Sequence, residues 1–117
     1  MDPHLWDFLS GGAETEHTLR ANRTALDAVE LRPRIMVDVR RIDLTTRLLG
    51  RELRMPVVIA PIGSIARFHP DGALATARVA AKWGSICFVS ANAINELGDV
   101  ATAVPDAPLI FQAYGYE

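Results

Sequence analysis

One cysteine in 117 residues, Cys87, leaves no internal disulfide to form. It also leaves no metal-type cluster, because His4, His17 and His69 lie far from one another and at no ligand spacing with Cys87. A lone thiol fits a reduced, cytoplasmic setting. Apolar runs are short: Val57–Pro61 is far below the roughly 20 residues that cross a bilayer. No opening run of Lys/Arg followed by apolar residues resembles a secretion signal, so neither a leader nor a membrane partner is expected. Charge of one sign is not in excess either. The 12 basic and 14 acidic residues give a net −2, and the basic ones are scattered without interleaved aromatics. Nucleic acid is therefore not an expected partner. No G-x-G-x-x-G follows a strand-like run and no G-x-x-x-x-G-K is present, which argues against dinucleotide and nucleoside-triphosphate sites.

Half of the residues are apolar, as in an ordinary globular domain. The first third reads as irregular. Leu5–Leu9 is a short mixed patch that Ser10-Gly11-Gly12 breaks. From Thr15 to Val29, Leu19, Leu26 and Val29 recur at helical spacing, and the pattern predicts an amphipathic helix ended by Arg32-Pro33-Arg34. Ile35–Val39 and Thr45–Leu49 read as short strands, and Gly50 makes Thr45–Leu53 a candidate hairpin.

From Met55 the pattern changes. Met55–Pro61 is a continuous apolar run of the kind found in a strand buried on both faces. A loop over Ile62–His69 follows, Pro70 and Asp71 suit a helix start, and Ala73–Trp83 is alanine-rich up to Gly84. Ser85–Ser90 is a second strand. A helix over Asn95–Ala103, capped by Asn92 or Asn95, leads to Pro105 and Pro108 and a third strand, Leu109–Tyr114. The order β-α-β-α-β means a parallel sheet with right-handed crossovers, either an open doubly wound sheet or a (β/α)8 barrel. A strand ending three residues before Glu117 leaves an edge that something else should cover.

Function in such folds gathers at the carboxyl ends of the strands. Those ends hold Pro61-Ile62-Gly63, Ser90-Ala91-Asn92 and Gln112-Ala113-Tyr114. Gly63 lets a backbone approach a ligand, Ser90 offers a hydroxyl, Gln112 offers a donor and an acceptor, and the Tyr114 phenol can hold an anionic oxygen. Each of these, taken singly, also reads as an ordinary satisfied side chain. His69 before Pro70-Asp71-Gly72 reads as a loop-to-helix cap in preference to a base. Cys87 reads as a buried inert thiol, and Trp83 and Phe88 as core.

Gly12-Ala13-Glu14, Thr18-Leu19, Asn22-Arg23, Leu31-Arg32-Pro33-Arg34, Asp38-Val39 and Leu49-Gly50 occur in that order. They are followed by Met55-Pro56 with Ile59-Ala60-Pro61, His69-Pro70-Asp71-Gly72 with Ala75-Thr76-Ala77-Arg78, and Phe111-Gln112 with Tyr114. This series resembles the N-terminal part of the FMN-dependent α-hydroxy acid oxidases and dehydrogenases, the family of glycolate oxidase, lactate oxidase and mandelate dehydrogenase. Within it the likeness leans to mandelate-like and hydroxymandelate-like members. The resemblance implies an α/β fold: about three strands of a (β/α)8 barrel, residues 55–117, preceded by a helical segment and hairpin over 1–54. It implies FMN as cofactor, with Pro61, Ile62 and Gly63 along the ring by their backbone and Ser90 and Gln112 hydrogen-bonded to it. It implies that Tyr114 faces the substrate as a catalytic and substrate-binding group, and that Phe8 lines the substrate side.

Two departures qualify the resemblance. Phe8 stands where the family usually has a tyrosine whose hydroxyl holds the substrate carboxylate, so the substrate is held differently or is aromatic. Asn92 stands where glycolate oxidase-like members carry a bulky aromatic. The implied activity is oxidation of an L-2-hydroxy acid to a 2-keto acid, with no metal. The barrel needs about 250 residues, and the family's catalytic His, carboxylate-binding Arg and flavin-side Lys come from later strands. The expectation is thus an incomplete and inactive chain that needs a second chain or segment, with a homo-oligomer possible. Two other readings stand beside it: a non-catalytic flavin-binding or assembly fragment, and a small flavodoxin-like βαβ protein.

Overall fold

The computed structural model describes residues 2–95 and 97–115. The chain divides into two compact units, Met1–Ile42 and Asp43–Glu117. The hairpin expected beside the N-terminal helix lies in the second unit.

The first unit opens with a helix that the sequence reading left irregular, α1, Pro3–Ser10. Its signals are local. The Asp2 carboxylate accepts from the N–H groups of His4 at 2.8 Å and Leu5 at 3.3 Å, and Pro3 sits in the first turn, where its missing N–H costs nothing. The expected helix over 15–29 is α2, His17–Asp27, with an Arg23–Asp27 ion pair on its surface. Neither helix buries a residue, and Leu26 and Val29 stay exposed. Ile35–Val39 is not a strand. Met36 takes a positive φ of 60°, which breaks an extended run, and Ile35 and Val39 are exposed with no strand beside them. Instead Asp38 and Arg40 form a two-pronged ion pair, and the Arg40 guanidinium holds the Asp38 carboxyl below its usual range.

In the second unit, β1 (Thr46–Leu48) and β2 (Arg51–Leu53) form the expected antiparallel hairpin, with Thr46 opposite Leu53. Leu49 and Gly50 both have positive φ, 50° and 77°, the signature of the type I′ turn that matches strand twist. The run Met55–Pro61 is not a regular strand. It contributes one parallel bridge, Ile59 to Cys87, framed by hydrogen bonds from Ile59 N–H to Ile86 O and from Phe88 N–H to Ile59 O. Pro56 and Pro61 have no N–H to give, and among the described residues no strand pairs with its other side. The Ser85 hydroxyl, donating to the Val57 carbonyl, fixes the run against the next strand.

The expected helix over 73–83 is α3, Ala73–Trp83, closed by Gly84 in the left-handed conformation. Ala73, Ala77 and Ala80 recur at helical spacing, are buried, and bring the helix close to β3, Cys87–Ser90. Cys87 and Val89 point into that core, together with Val100 of α4 (Leu97–Ala103), Val104 and Ala107. The expected start of α4 includes Glu96, which lies outside the described residues. The last strand, β4, Leu109–Gln112, pairs in parallel with β3. Trp83, expected in the core, is about half exposed, because it sits on the rim of an apolar groove, about 330 Å³, with Met55, Val57, Ile59 and Val79.

Candidate functional site

Alternation along the strands sorts the side chains. Cys87, Val89 and Leu109 pack on the helices, so Phe88, Ser90, Ile110 and Gln112 share the opposite face. Ser90 lies beside Gln112 across the parallel pair, at the carboxyl ends of both strands. Backbone hydrogen bonds lace the three strand ends together. Ser64 N–H donates to Asn92 O, and Ala91 N–H donates to Gln112 O at 3.1 Å. The buried Ser90 hydroxyl accepts from Asn92 N–H at 3.2 Å and keeps its own proton to donate. A Cβ built on Gly63 would reach only Asn92, at 3.7 Å, so that backbone lies open to an approaching group.

The Gln112 side-chain oxygen is buried and has no hydrogen-bond partner among the described residues. A buried acceptor left so costs about 1–3 kcal/mol, and such an exception in a folded chain calls for an explanation. A ligand with an N–H edge supplies one. The pyrimidine edge of an isoalloxazine ring carries an N–H donor flanked by carbonyl acceptors, which suits the Gln112 oxygen and the Ser90 hydroxyl, and its flat face suits a glycine-bearing backbone. The residues present therefore fit FMN.

Of the candidate residues, the structure brings Gly63, Ser90 and Gln112 into one laced cluster, with Pro61 and Ile62 leading into it. Tyr114 follows two residues after β4 and is partly exposed. Phe8 lies on α1, in the first unit. His69 is not poised as a base: its Nδ1 accepts from Asp71 N–H at 3.2 Å, the cap-like role expected of it. Cys87 is fully buried, and burial pushes its thiol up from the ordinary value. Among the described residues no group of His, Cys, Asp and Glu could hold a metal ion, and no helix is long and apolar enough to cross a membrane.

Sequence reading missed the part played by Ser64, whose N–H ties the first strand end to the second. No local signal marks it. Asn95, with Asn92, is one of two residues expected to cap the helix over Asn95–Ala103. It caps α3 instead, accepting from Ala73 N–H at 2.8 Å.

The family model described as FMN-dependent dehydrogenase matches residues 1–117. A peroxisomal (S)-2-hydroxy-acid oxidase of Oryza sativa subsp. indica is 43% identical over 112 residues, 96% of this chain and 30% of that protein. Glycolate oxidase of Spinacia oleracea is 40% identical over 113 residues, 97% of this chain and 30% of that protein. A soluble mutant of the membrane-associated (S)-mandelate dehydrogenase from Pseudomonas putida superposes with a TM-score of 0.90 at 34% identity, covering 97% of this chain and 32% of that one. The chain thus spans about a third of the length of the proteins it matches.

Proposed function

Because this chain belongs to the FMN-dependent dehydrogenase family, whose cofactor is FMN and whose fold is the (β/α)8 barrel, we propose that it supplies the first part of the flavin site of an L-2-hydroxy acid oxidoreductase. The observation that carries the reading is the Gln112 oxygen, buried beside the Ser90 hydroxyl without a partner among the described residues. In this reading Gln112 accepts from the ring edge and Ser90 donates to it. The backbone of Pro61, Ile62 and Gly63 runs along the ring. Bound FMN supplies the two-electron acceptor. Tyr114 faces the substrate and orients its oxygen atoms. The substrate is a 2-hydroxy acid, and Asn92 in place of a bulky aromatic suits a roomier pocket.

His69 is not the catalytic base in this reading, since its Nδ1 is engaged in a turn. The sheet supports the need for a further segment or second chain. Ile59 directs its N–H and C=O toward β3, so Val58 and Ala60 direct theirs to the opposite edge. Pro108 and Gln112 carbonyls face β3, so Leu109 and Phe111 present the other open edge. The apolar groove beside Trp83 suits apolar side chains from that segment. A cytoplasmic setting and self-association complete the proposal.

The test is flavin titration, with turnover on mandelate and glycolate, of the natively purified protein and of the 117-residue chain alone. FMN binding by the native protein that Gln112→Leu weakens about three- to tenfold supports the site. Flavin binding without turnover in the native protein would support a non-catalytic flavin module instead. Native protein that takes up no FMN would remove the proposal.

A further inference from the structure

The loop after β3 is anchored by a side chain whose partner lies 22 residues away in sequence. Asn95 Oδ1 accepts from Ala73 N–H, at the first residue of α3, at 2.8 Å. That amide is among the four at a helix start with no intrahelical acceptor. The residue in the capping position, Gly72, offers no side-chain bond of its own. A Cβ on Gly72 would lie 2.2 Å from Asn95 Oδ1, so the absence of a side chain there makes room for one from another loop. Gly72 also has φ 48° and ψ −127°, open in practice to glycine alone.

The residue before Asn95 is under strain. Ile94 has φ 75°, an outlier for a β-branched side chain, yet that side chain is largely exposed and so does not hold the backbone by packing. Its neighbours must hold it. On one side stands the Asn95 cap. On the other, Ala93 is buried in the core and donates its N–H to Ser90 O at 3.1 Å. Asn92, in the same loop, donates to the Ser90 hydroxyl and accepts from Ser64 N–H.

We infer that Asn95 is a positioning residue for the flavin site: by capping α3 it fixes the 91–95 loop, and the loop fixes the Gly63-Ser64 backbone and the Ser90 hydroxyl. The Asn95 hydrogen bond goes to Ala73 and not to a proposed flavin contact. The inference rests on the reading that these strand ends hold FMN.

The test uses Asn95→Ala and Asn95→Asp in the full native protein, with amide hydrogen exchange and FMN titration. In Asn95→Ala, exchange at Ser64 and Ala73 accelerates and the FMN dissociation constant rises about five- to tenfold, while exchange at Val89 and Ile110 in the strands stays slow. Asn95→Asp keeps an acceptor oxygen, with a charge suited to a helix N-terminus, and restores both readouts. If Asn95→Ala does not fold, Asn95→Gln, which moves the same amide one methylene out of place, carries the same expectations. Unchanged exchange at Ser64 overturns the inference, and so does faster exchange there with FMN affinity unmoved. Wild-type protein that binds no FMN defeats the flavin reading itself, a result distinct from a wild type that binds and an Asn95 variant that binds equally well.

Discussion

Ser90 and Gln112 stand side by side across the parallel β3–β4 pair, and the Gln112 side-chain oxygen is buried there with no partner among the described residues. A group kept at a cost in stability predicts opposite effects on folding and binding. Gln112→Met keeps the length and removes the orphaned acceptor. The apo protein is expected to melt no lower than wild type and up to about 1–2 kcal/mol higher in stability. FMN affinity is expected to fall about three- to tenfold, the worth of one neutral hydrogen bond. A thermal melt and a flavin titration on the same samples check both halves; lower stability with unchanged affinity would mean the side chain serves only the fold.

Gly63 gives a second separation of fold from function. A methyl group there meets only Asn92, at an ordinary 3.7 Å, and Gly63 is not among the glycines with positive φ. Gly63→Ala is therefore expected to leave stability within about 0.5 kcal/mol of wild type. In the proposed site the same methyl points at the ring, so the flavin absorption bands and the rate of flavin reduction shift while the melting temperature does not. Equal spectra and rates would place the flavin elsewhere.

Gly72 has no such tolerance. Gly72→Ala puts a Cβ 2.2 Å from Asn95 Oδ1 and forces alanine into a glycine-only conformation. Backbone strain of this kind costs about 1–3 kcal/mol and a lost cap about 1 more. Chemical denaturation should show a loss of at least about 2 kcal/mol, and an Asn95→Ala background should reduce it, because the side chain that clashes is then gone.

What the sequence made legible was whatever is decided locally. The alanine run closed by Gly84, the Leu49-Gly50 turn and the strand ends bearing Ser90 and Gln112 follow from neighbours in the chain, and the structure places them as expected. Ile35–Val39 has a strand's composition but, among the described residues, no second strand to pair with, and pairing, not composition, makes a strand. Met55–Pro61 bridges β3 on one side only, and Pro56 and Pro61 have no N–H to give, so it keeps a single bridge. α1 was legible in principle, through Asp2-Pro3, but its eight residues bury nothing and so carry little periodic signal. The Asn95 cap was out of reach, because its partner is set by tertiary packing across 22 residues.

The hairpin turn carries a removable strain. Leu49 has φ 50° and is two-thirds exposed, so its side chain contributes little packing to offset a left-handed backbone. Asparagine tolerates that conformation, and Asn-Gly is the preferred pair for a type I′ turn. Leu49→Asn is expected to raise stability by about 0.5–1 kcal/mol, read as a higher urea midpoint with an unchanged slope. A lower midpoint would show that Leu49 is covered in the native protein, and would mark the hairpin tip as a contact surface.

Cys87 sets a pH dependence whose sign follows from its burial. Its side chain is fully buried beside Thr76, with Sγ 3.5 Å from the Thr76 hydroxyl, and burial raises its pKa above the ordinary 9.0. In the unfolded chain the thiol ionises near that ordinary value, while in the folded chain it stays protonated to higher pH. Above about 9.0 the unfolded state therefore binds fewer protons than the folded one, and rising pH favours unfolding. The thiol's contribution is complete below pH 9.0 and is lost as pH climbs toward the raised folded value. Urea midpoints of wild type and Cys87→Ala at pH 8 and pH 10 isolate it, since all other groups titrate alike in both. Wild type should lose more stability than the variant between the two pH values. Iodoacetamide should label Cys87 at pH 8 only as fast as the protein opens. Equal losses, or labelling at the rate of a free thiol, would mean that Cys87 reaches solvent in the native protein.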